Sequence, residues 1–303
     1  MRRYTLRQLD TFLEVARQLS VSRAADLLHV TQPAVSMQIH QLEDILGLAL
    51  CEQVGRKIRL TDAGVDFETY AIGAVAQLKQ LDDAMAQRRG LKQGRVSLGI
   101  VSTAKYFVPM LLVAFRKRFP DIDISLQIQN RENIMLLLSR NEIDLVIMGR
   151  SPEGLDCVAA AFATNPLGVI GAPEHPLSRR RGAPLSILNG QEFVVRESGS
   201  GTRHAMERLF AENDIRPRIV MEMPSNETIK QAVMAGMGLS FLSLRTIRHE
   251  LASGHLVLLD VLGLPLVRHW HITHLAAKRL SPPAREFKSF LIEEAGPLIK
   301  LWA

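Results

Sequence analysis

Ser200, Gly201 and Thr202, within SGSGTRHAME, place free N–H groups and hydroxyls at a strand-to-helix turn with Arg203 alongside, an arrangement that can hold an anion. A simple glycine-rich turn capped by Thr202 fits the same residues. VSTAKYF offers a matching arrangement: Ser102 and Thr103 follow a strand and can cap the next helix, with Lys105 supplying charge. Arg131 and Asn133 begin a further helix, and Arg150 follows VIMG at a strand end, where open α/β folds bind ligands. Asn226 and Thr228 open another helix, where ordinary N-capping explains them about as well.

Catalytic chemistry finds little support. GSG at Gly199–Gly201 lacks the glycine spacing of a nucleophile elbow, and no His-acid pair follows it. There is no GxxxxGK[ST], and GMGLSF at Gly236 lacks the third glycine of a dinucleotide fingerprint. Within HWHITH only His269 and His271 share a face of a strand, so His274 completes no metal set. The expectation is a chain that is no enzyme and needs no metal or cofactor.

The other residues that stand out lie near the start, in VSRAADLLHVTQPAVSMQIHQLEDILG. Ser22 can cap a helix through Leu28; Thr31 can cap a second, with Pro33 tolerated in its first turn. Val35, Ile39, Leu42 and Leu46 form the buried stripe of that second helix. Gln32, Pro33, Ser36, Met37 and His40 are left on a short, polar, protruding face. A first helix over residues 5–18, with Leu6, Leu9, Phe12, Leu13 and Ala16 inward, packs on the pair. LALCEQVGRKIRLTDAG then reads as two short strands around a basic turn, ending at Thr61, whose hydroxyl can cap the next helix.

From Asp62 to Arg89, Phe67, Ala71, Ala74, Leu78, Leu81 and Met85 alternate spacings of four and three, a heptad-like seam. A helix packed on its own domain would show part of this pattern; a dimerising linker helix explains a seam of this length. RRGLKQG, with two glycines, marks a hinge. Beyond it strands and helices alternate: RVSLGIVS, a helix over 107–119, DISLQIQ, a helix over 132–140, and DLVIMG, a βαβαβ run that implies a parallel sheet. A second series follows in PLGVIGAP, EFVVRE, a helix from Thr202, RIVMEM, a helix from Asn226, and LSFLSL. Two such lobes would enclose a cleft, with WHITHL and the helix near Pro283–Ala295 returning to the first.

Composition bounds these readings. The chain has 303 residues, 47% hydrophobic and 22% charged, enough for real cores in two or three domains and too polar for a membrane protein. No apolar run approaches about 18 residues, and MRRYTLRQLDTF has no signal-peptide apolar region, so a cytoplasmic protein is expected. Cys51 and Cys157 lie far apart, against a disulfide framework. The net charge of +6 is spread unevenly: residues 1–64 carry eight Lys/Arg against seven Asp/Glu, and residues 95–303 carry 25 against 20. The basic residues of the first segment cluster in Arg2, Arg3 and Arg7 and in GRKIR at Gly55–Arg59, where they can reach phosphates without global excess charge. The later surplus fits an anionic ligand or a solvated surface.

SRAADLLHVTQPAVSMQIHQLEDILG, GRKIRLTDAG, the long helix and the two α/β lobes together resemble the LysR-type bacterial transcription regulators over essentially the whole length. TQPAVSMQI, VSTAKYFVP, NRENIMLLL, IDLVIMGRSP, RESGSGTRHAME, SNETIKQAVMAGMGLSFLSL and KRLSP are most similar to the regulators of Calvin-cycle carbon-fixation genes, the CbbR type. The resemblance implies an α/β chain with a helix-rich N-terminal winged helix-turn-helix over 1–61, a dimerising linker helix over 62–89, a hinge at 90–94 and a two-lobed effector domain of the periplasmic-binding-protein type over 95–303. Its lobe I would take about 95–164 and 270–303, and its lobe II about 165–269.

It further implies that Thr31, Gln32, Pro33, Ser36, Met37 and His40 face DNA, with Arg56 and Arg59 in the wing near phosphate or minor groove. Gln and Ser can reach base edges in the major groove. Many members have arginine where this chain has Met37, and phenylalanine then Glu-Arg where it has Cys51-Glu52-Gln53. Implied partners are promoter DNA, RNA polymerase, further copies forming a dimer to tetramer, and a small anionic metabolite: ribulose bisphosphate, phosphoenolpyruvate or NADPH. A solute-binding sensor module without DNA binding is the alternative from another class; salt-dependent binding to random DNA separates the two.

Overall fold

The computed structural model describes residues 4–54, 57–88, 94–152 and 154–301. Contacts divide the chain into two compact units, Met1–Gly90 with Arg140–Glu142, and Leu91–Ser139 with Ile143–Ala303.

In the first unit, Thr5 and Gln8 form a reciprocal capping box that starts α1 (Leu6–Gln18). Leu9, Phe12, Val15 and Ala16 are its buried face, whereas Leu6, expected inside, is 51% exposed. Leu19 takes a left-handed conformation (φ 47°), which leaves Ser20 extended and makes it the cap of α2 (Val21–Leu28). Ser22, expected to be that cap, lies inside the helix and donates its hydroxyl to Gln32 Oε1 at 3.3 Å. Thr31 caps α3 (Gln32–Leu46), accepting the Ala34 N–H, and Pro33 sits in the first turn. Val35, Ile39 and Leu42 are buried against Phe12, Ala24 and Ala25, while Leu46 is only partly covered.

The wing is the antiparallel pair β1 (Cys51–Val54) and β2 (Lys57–Leu60), in register Cys51 opposite Leu60. Glu43 ties it to α3, one carboxylate oxygen accepting the Leu50 and Cys51 N–H groups at 2.8 and 3.1 Å. Thr61 caps α4 (Asp62–Arg88) by accepting the Gly64 N–H at 3.0 Å, and its hydroxyl donates to the Ala49 carbonyl. A Cβ on Gly64 would lie 2.1 Å from the Leu50 carbonyl oxygen. In most helices Gly→Ala stabilises by about 1 kcal/mol. Here Gly64→Ala is expected to destabilise by about 2–3 kcal/mol, because backbone must move; a urea titration followed by circular dichroism reads the sign.

The second unit is built on a seven-stranded sheet. β3 (Gly94–Val101) is apolar and lies one strand in from an edge of the sheet, and a 3₁₀ turn over Ser102–Tyr106 leads to α5 (Val108–Arg118). Ser102 and Thr103 were expected to cap this helix and do not; Pro109, suited to a first turn, sets its start five residues further on. β4 (Ile122–Gln129), α6 (Arg131–Ser139) and β5 (Leu145–Met148) follow, and β3 runs parallel to both β4 and β5.

The next strand, β6, spans Cys157–Gly171, fifteen residues, and starts well before the Pro166 read from the sequence. After it come β7 (Glu192–Arg196), α7 (Gly201–Glu212), β8 (Arg218–Met223), α8 (Asn226–Met234), β9 (Ser240–Ser243), the short α9 (Arg248–Ala252), β10 (Val257–Leu258), β11 (Leu266–Leu275) and α10 (Pro282–Leu301). The main sheet runs β10-β6-β11-β5-β3-β4 with β9 also on β6, and β7 pairs in parallel with β8. Trp270 and Ile272 of β11 and Phe287, Leu291 and Ile299 of α10 share a core with Leu98, Ile100 and Phe115. Phe193, Phe210 and Phe241 centre a second core and Ile229, Val233 and Leu242 a third, on either side of β6. The long pair β6–β11 thus enters every core of this unit.

Candidate functional site

On the first unit, Thr31, Gln32, Pro33, Met37 and His40 are exposed along the start of α3, with Ser36 half-buried among them. Met37 is 55% exposed, an apolar group on a polar face. His40 Nδ1 lies 3.4 Å from a Glu43 carboxylate oxygen, whose partner oxygen holds the wing. Arg59 is exposed on β2; Arg56, with Arg2 and Arg3, lies outside the described residues. Along α4 the six seam positions divide. Phe67 packs into the unit's own core, edge-on to Phe12 at 5.1 Å, and Ala71 is buried, whereas Ala74, Leu78, Leu81 and Met85 face outward.

The second unit contains a cavity of about 450 Å³ at the carboxyl ends of β3, β5 and β7. Ser102, Thr103, Arg131, Arg150, Ser200, Thr202 and Arg203 all line it. Ser200, not Thr202, caps α7, accepting the Thr202 and Arg203 N–H groups at 3.3 and 3.5 Å. Its position one residue before the first helical turn leaves the Thr202 hydroxyl to the cavity wall. Arg131 donates to the Arg150 and Ser151 carbonyls at 2.6 and 3.3 Å and so holds the loop after β5.

Four residues expected here do not reach the cavity. Lys105 lies over the Tyr106 ring at 5.1 Å; Asn133 is exposed on α6; Thr228 is exposed on α8, whose cap is Ser225. Asn226 is buried behind the wall, accepting from Arg196 Nη1 at 2.8 Å.

Arg196, Asn165, Arg268 and Trp270 line the cavity and were missed. Arg196 is 3% exposed and uses its whole guanidinium: Nε and Nη2 to the two Glu197 oxygens at 2.7 and 2.9 Å, Nη1 to Asn226, and Nη2 also to Ser102 Oγ at 3.0 Å. A strand-end arginine immediately before a glycine-rich turn was its signal, the same one that pointed to Arg150. Burial, then the charges of Arg131, Arg150 and Arg208, push the Arg268 guanidinium below its ordinary value. Glu132 and Glu207 are the carboxylates on the wall beside these cations. Hydroxyls, a helix N-terminus and several guanidinium groups around one cavity favour a small anion.

The histidines of β11 serve otherwise. His274 is buried with Nε2 3.0 Å from Lys288 Nζ, and burial lowers its pKa. Among the described residues, no group of three or more His, Cys, Asp or Glu side chains converges on a metal position.

The lysR-family bacterial regulatory helix-turn-helix profile matches residues 6–65, and the LysR substrate binding domain profile matches residues 89–296. The chain belongs to the LysR family of transcriptional regulators. The LysR-type chain is 42% identical over 299 residues to the regulator CfxR of Cupriavidus necator, covering 99% of this chain and 94% of that one. It is 45% identical over 286 residues to CbbR of Rhodospirillum rubrum, covering 94% and 95%. Among solved structures, the regulatory domain of CcmR from Synechocystis, in complex with 2-PG, is 41% identical, with a TM-score of 0.64 over 66% of this chain and 96% of that one. These relatives place it with the CbbR-type, carbon-fixation regulators rather than with LysR-type chains at large.

Proposed function

We propose that this LysR-family chain activates carbon-fixation genes, and that a small phosphorylated metabolite held in the cavity of its second unit sets its response. It acts in the cytoplasm as a regulator rather than an enzyme. The convergence of the α7 N-terminus, the Ser102, Thr103 and Thr202 hydroxyls and the surrounding arginines on one cavity supports this reading above all. The polar face of α3 enters the major groove of promoter DNA, and Arg59 reaches phosphate beside it. The outward Ala74, Leu78, Leu81 and Met85 of α4 meet a second copy, and dimers assemble to a tetramer on spaced half-sites where RNA polymerase is recruited. Ligand acts by population shift: it binds one lobe arrangement better than another, since equal affinity for both would shift nothing. Candidate ligands are ribulose bisphosphate, phosphoenolpyruvate, NADPH and 2-phosphoglycolate.

A quantitative footprint on the DNA upstream of the chain's own gene and of carbon-fixation genes, with and without each of the four candidate ligands at fixed salt, tests the reading. The expected result is a protected site whose length or bending signal changes with ligand. Thr202→Ala is expected to abolish that change while DNA affinity stays the same. Specific protection that ignores all four ligands in the parent protein would sink the effector half.

A further inference from the structure

The far wall of the cavity comes from strands that carried no binding expectation. Arg268 and Trp270 are alternate residues of β11 and share one face of the strand; the register irregularity comes only after Trp270. Directly across the ladder from Arg268 is Asn165 of β6, 5% exposed. All three residues line the cavity.

Their hydrogen bonding is incomplete. Trp270 is fully buried, packed beside Phe107 at 5.1 Å, and among the described residues its indole Nε1–H has no acceptor. Among the described residues, no hydrogen bond or ion pair engages Arg268. Asn165 Oδ1 accepts from Ser243 Oγ at 2.7 Å, which turns its amide nitrogen away from that bond. A buried indole donor without an acceptor is unusual, and a guanidinium near three like charges is unfavourable; one acceptor group in the cavity relieves both.

We propose that Arg268, Trp270 and Asn165 form a second recognition element, which binds a carboxylate carried by the same ligand whose phosphate occupies the α7 end. The inference rests on the phosphate reading of the cavity and narrows it to short phosphorylated carboxylic acids, as against phosphorylated alcohols or sugars. A guanidinium fork matches a planar carboxylate, and one indole N–H suits one of its oxygens. Leu167 lies on the same cavity wall and adds apolar surface beside the Trp270 ring.

The test compares 2-phosphoglycolate with ethyl phosphate, which lacks only the carboxylate function, by titration calorimetry on the full chain. The parent protein is expected to bind 2-phosphoglycolate about ten- to a hundredfold more tightly, the worth of hydrogen bonds to a charged acceptor. Trp270→Phe keeps the ring against Phe107 and removes the N–H; it should cut that preference about tenfold and leave ethyl phosphate affinity in place. Arg268→Gln should do the same and serves if Trp270→Phe does not fold. The chain has two tryptophans, so Trp302→Phe isolates Trp270 emission, which should change with 2-phosphoglycolate. Equal affinity for the two probes, or an equal loss for both in the variants, overturns the second element alone. Failure of the parent protein to bind either probe overturns the phosphate reading and this inference with it.

Discussion

Arg196→Ala will lower the melting temperature of the second unit by about 6–12 °C. The substitution strands Glu197, whose side chain is only 16% exposed, and removes the donors to Asn226 and Ser102. Breaking a buried pair from one side costs about 3–5 kcal/mol. Residual solvent at Glu197 argues for about 3, and a unit of this size loses about 2–4 °C per kcal/mol. The penalty is mainly that of an unpaired carboxylate, so adding Glu197→Gln should recover part of it. Thermal unfolding followed by circular dichroism reads both. If the double variant melts no higher than the single, the loss comes from Asn226 and Ser102 instead. Arg196 also spans the cleft, since Ser102 follows β3 and Arg196 ends β7; ligand response should therefore be lost even where the variant folds.

Gln32→Ala with Ser36→Ala is expected to weaken specific DNA binding by about 2–6 kcal/mol, at about 1–3 per lost base contact. That is about thirtyfold to twenty-thousandfold in Kd. Binding to random DNA should stay nearly constant, with its salt slope unchanged, because neither side chain neutralises a phosphate. Arg59→Ala should behave oppositely, weakening both DNAs alike and reducing the salt slope by about one. Salt titrations on the two DNAs separate these outcomes. An equal loss on both DNAs in the Gln32/Ser36 variant would remove these residues from base reading.

Much of the scaffold was legible because local signals agree with tertiary ones. Thr31 and Thr61 cap the helices they were expected to cap, and the β3–α5–β4–α6–β5 run follows its apolar alternation. Caps were misplaced where two hydroxyl residues lie two apart. Ser20 and Ser22 compete for one helix, and Ser200 and Thr202 for another; backbone conformation before the helix, not residue type, decides. The start of β6 was hidden because CVAAAFATN is alanine-rich and weak in strand propensity, so its pairing with β11 carries the decision. The far wall of the cavity was illegible for the same reason. Arg268 opposite Asn165 is a matter of non-local register, which nothing in LVRHWHITHL alone expresses.

The shared β6–β11 ladder, ten paired positions from Leu266–Leu167 to Leu275–Cys157, has a mechanical consequence. Lobes joined by flexible cords can separate and rotate freely; lobes grown on one continuous two-strand ribbon can only flex it. Under the proposed ligand response, lobe motion is expected to be a twist of this ribbon, which carries Asn165, Arg268 and Trp270 of the cavity wall. The same ribbon gives both lobes a common fate on denaturation, since neither can lose its core without stripping strands from the other.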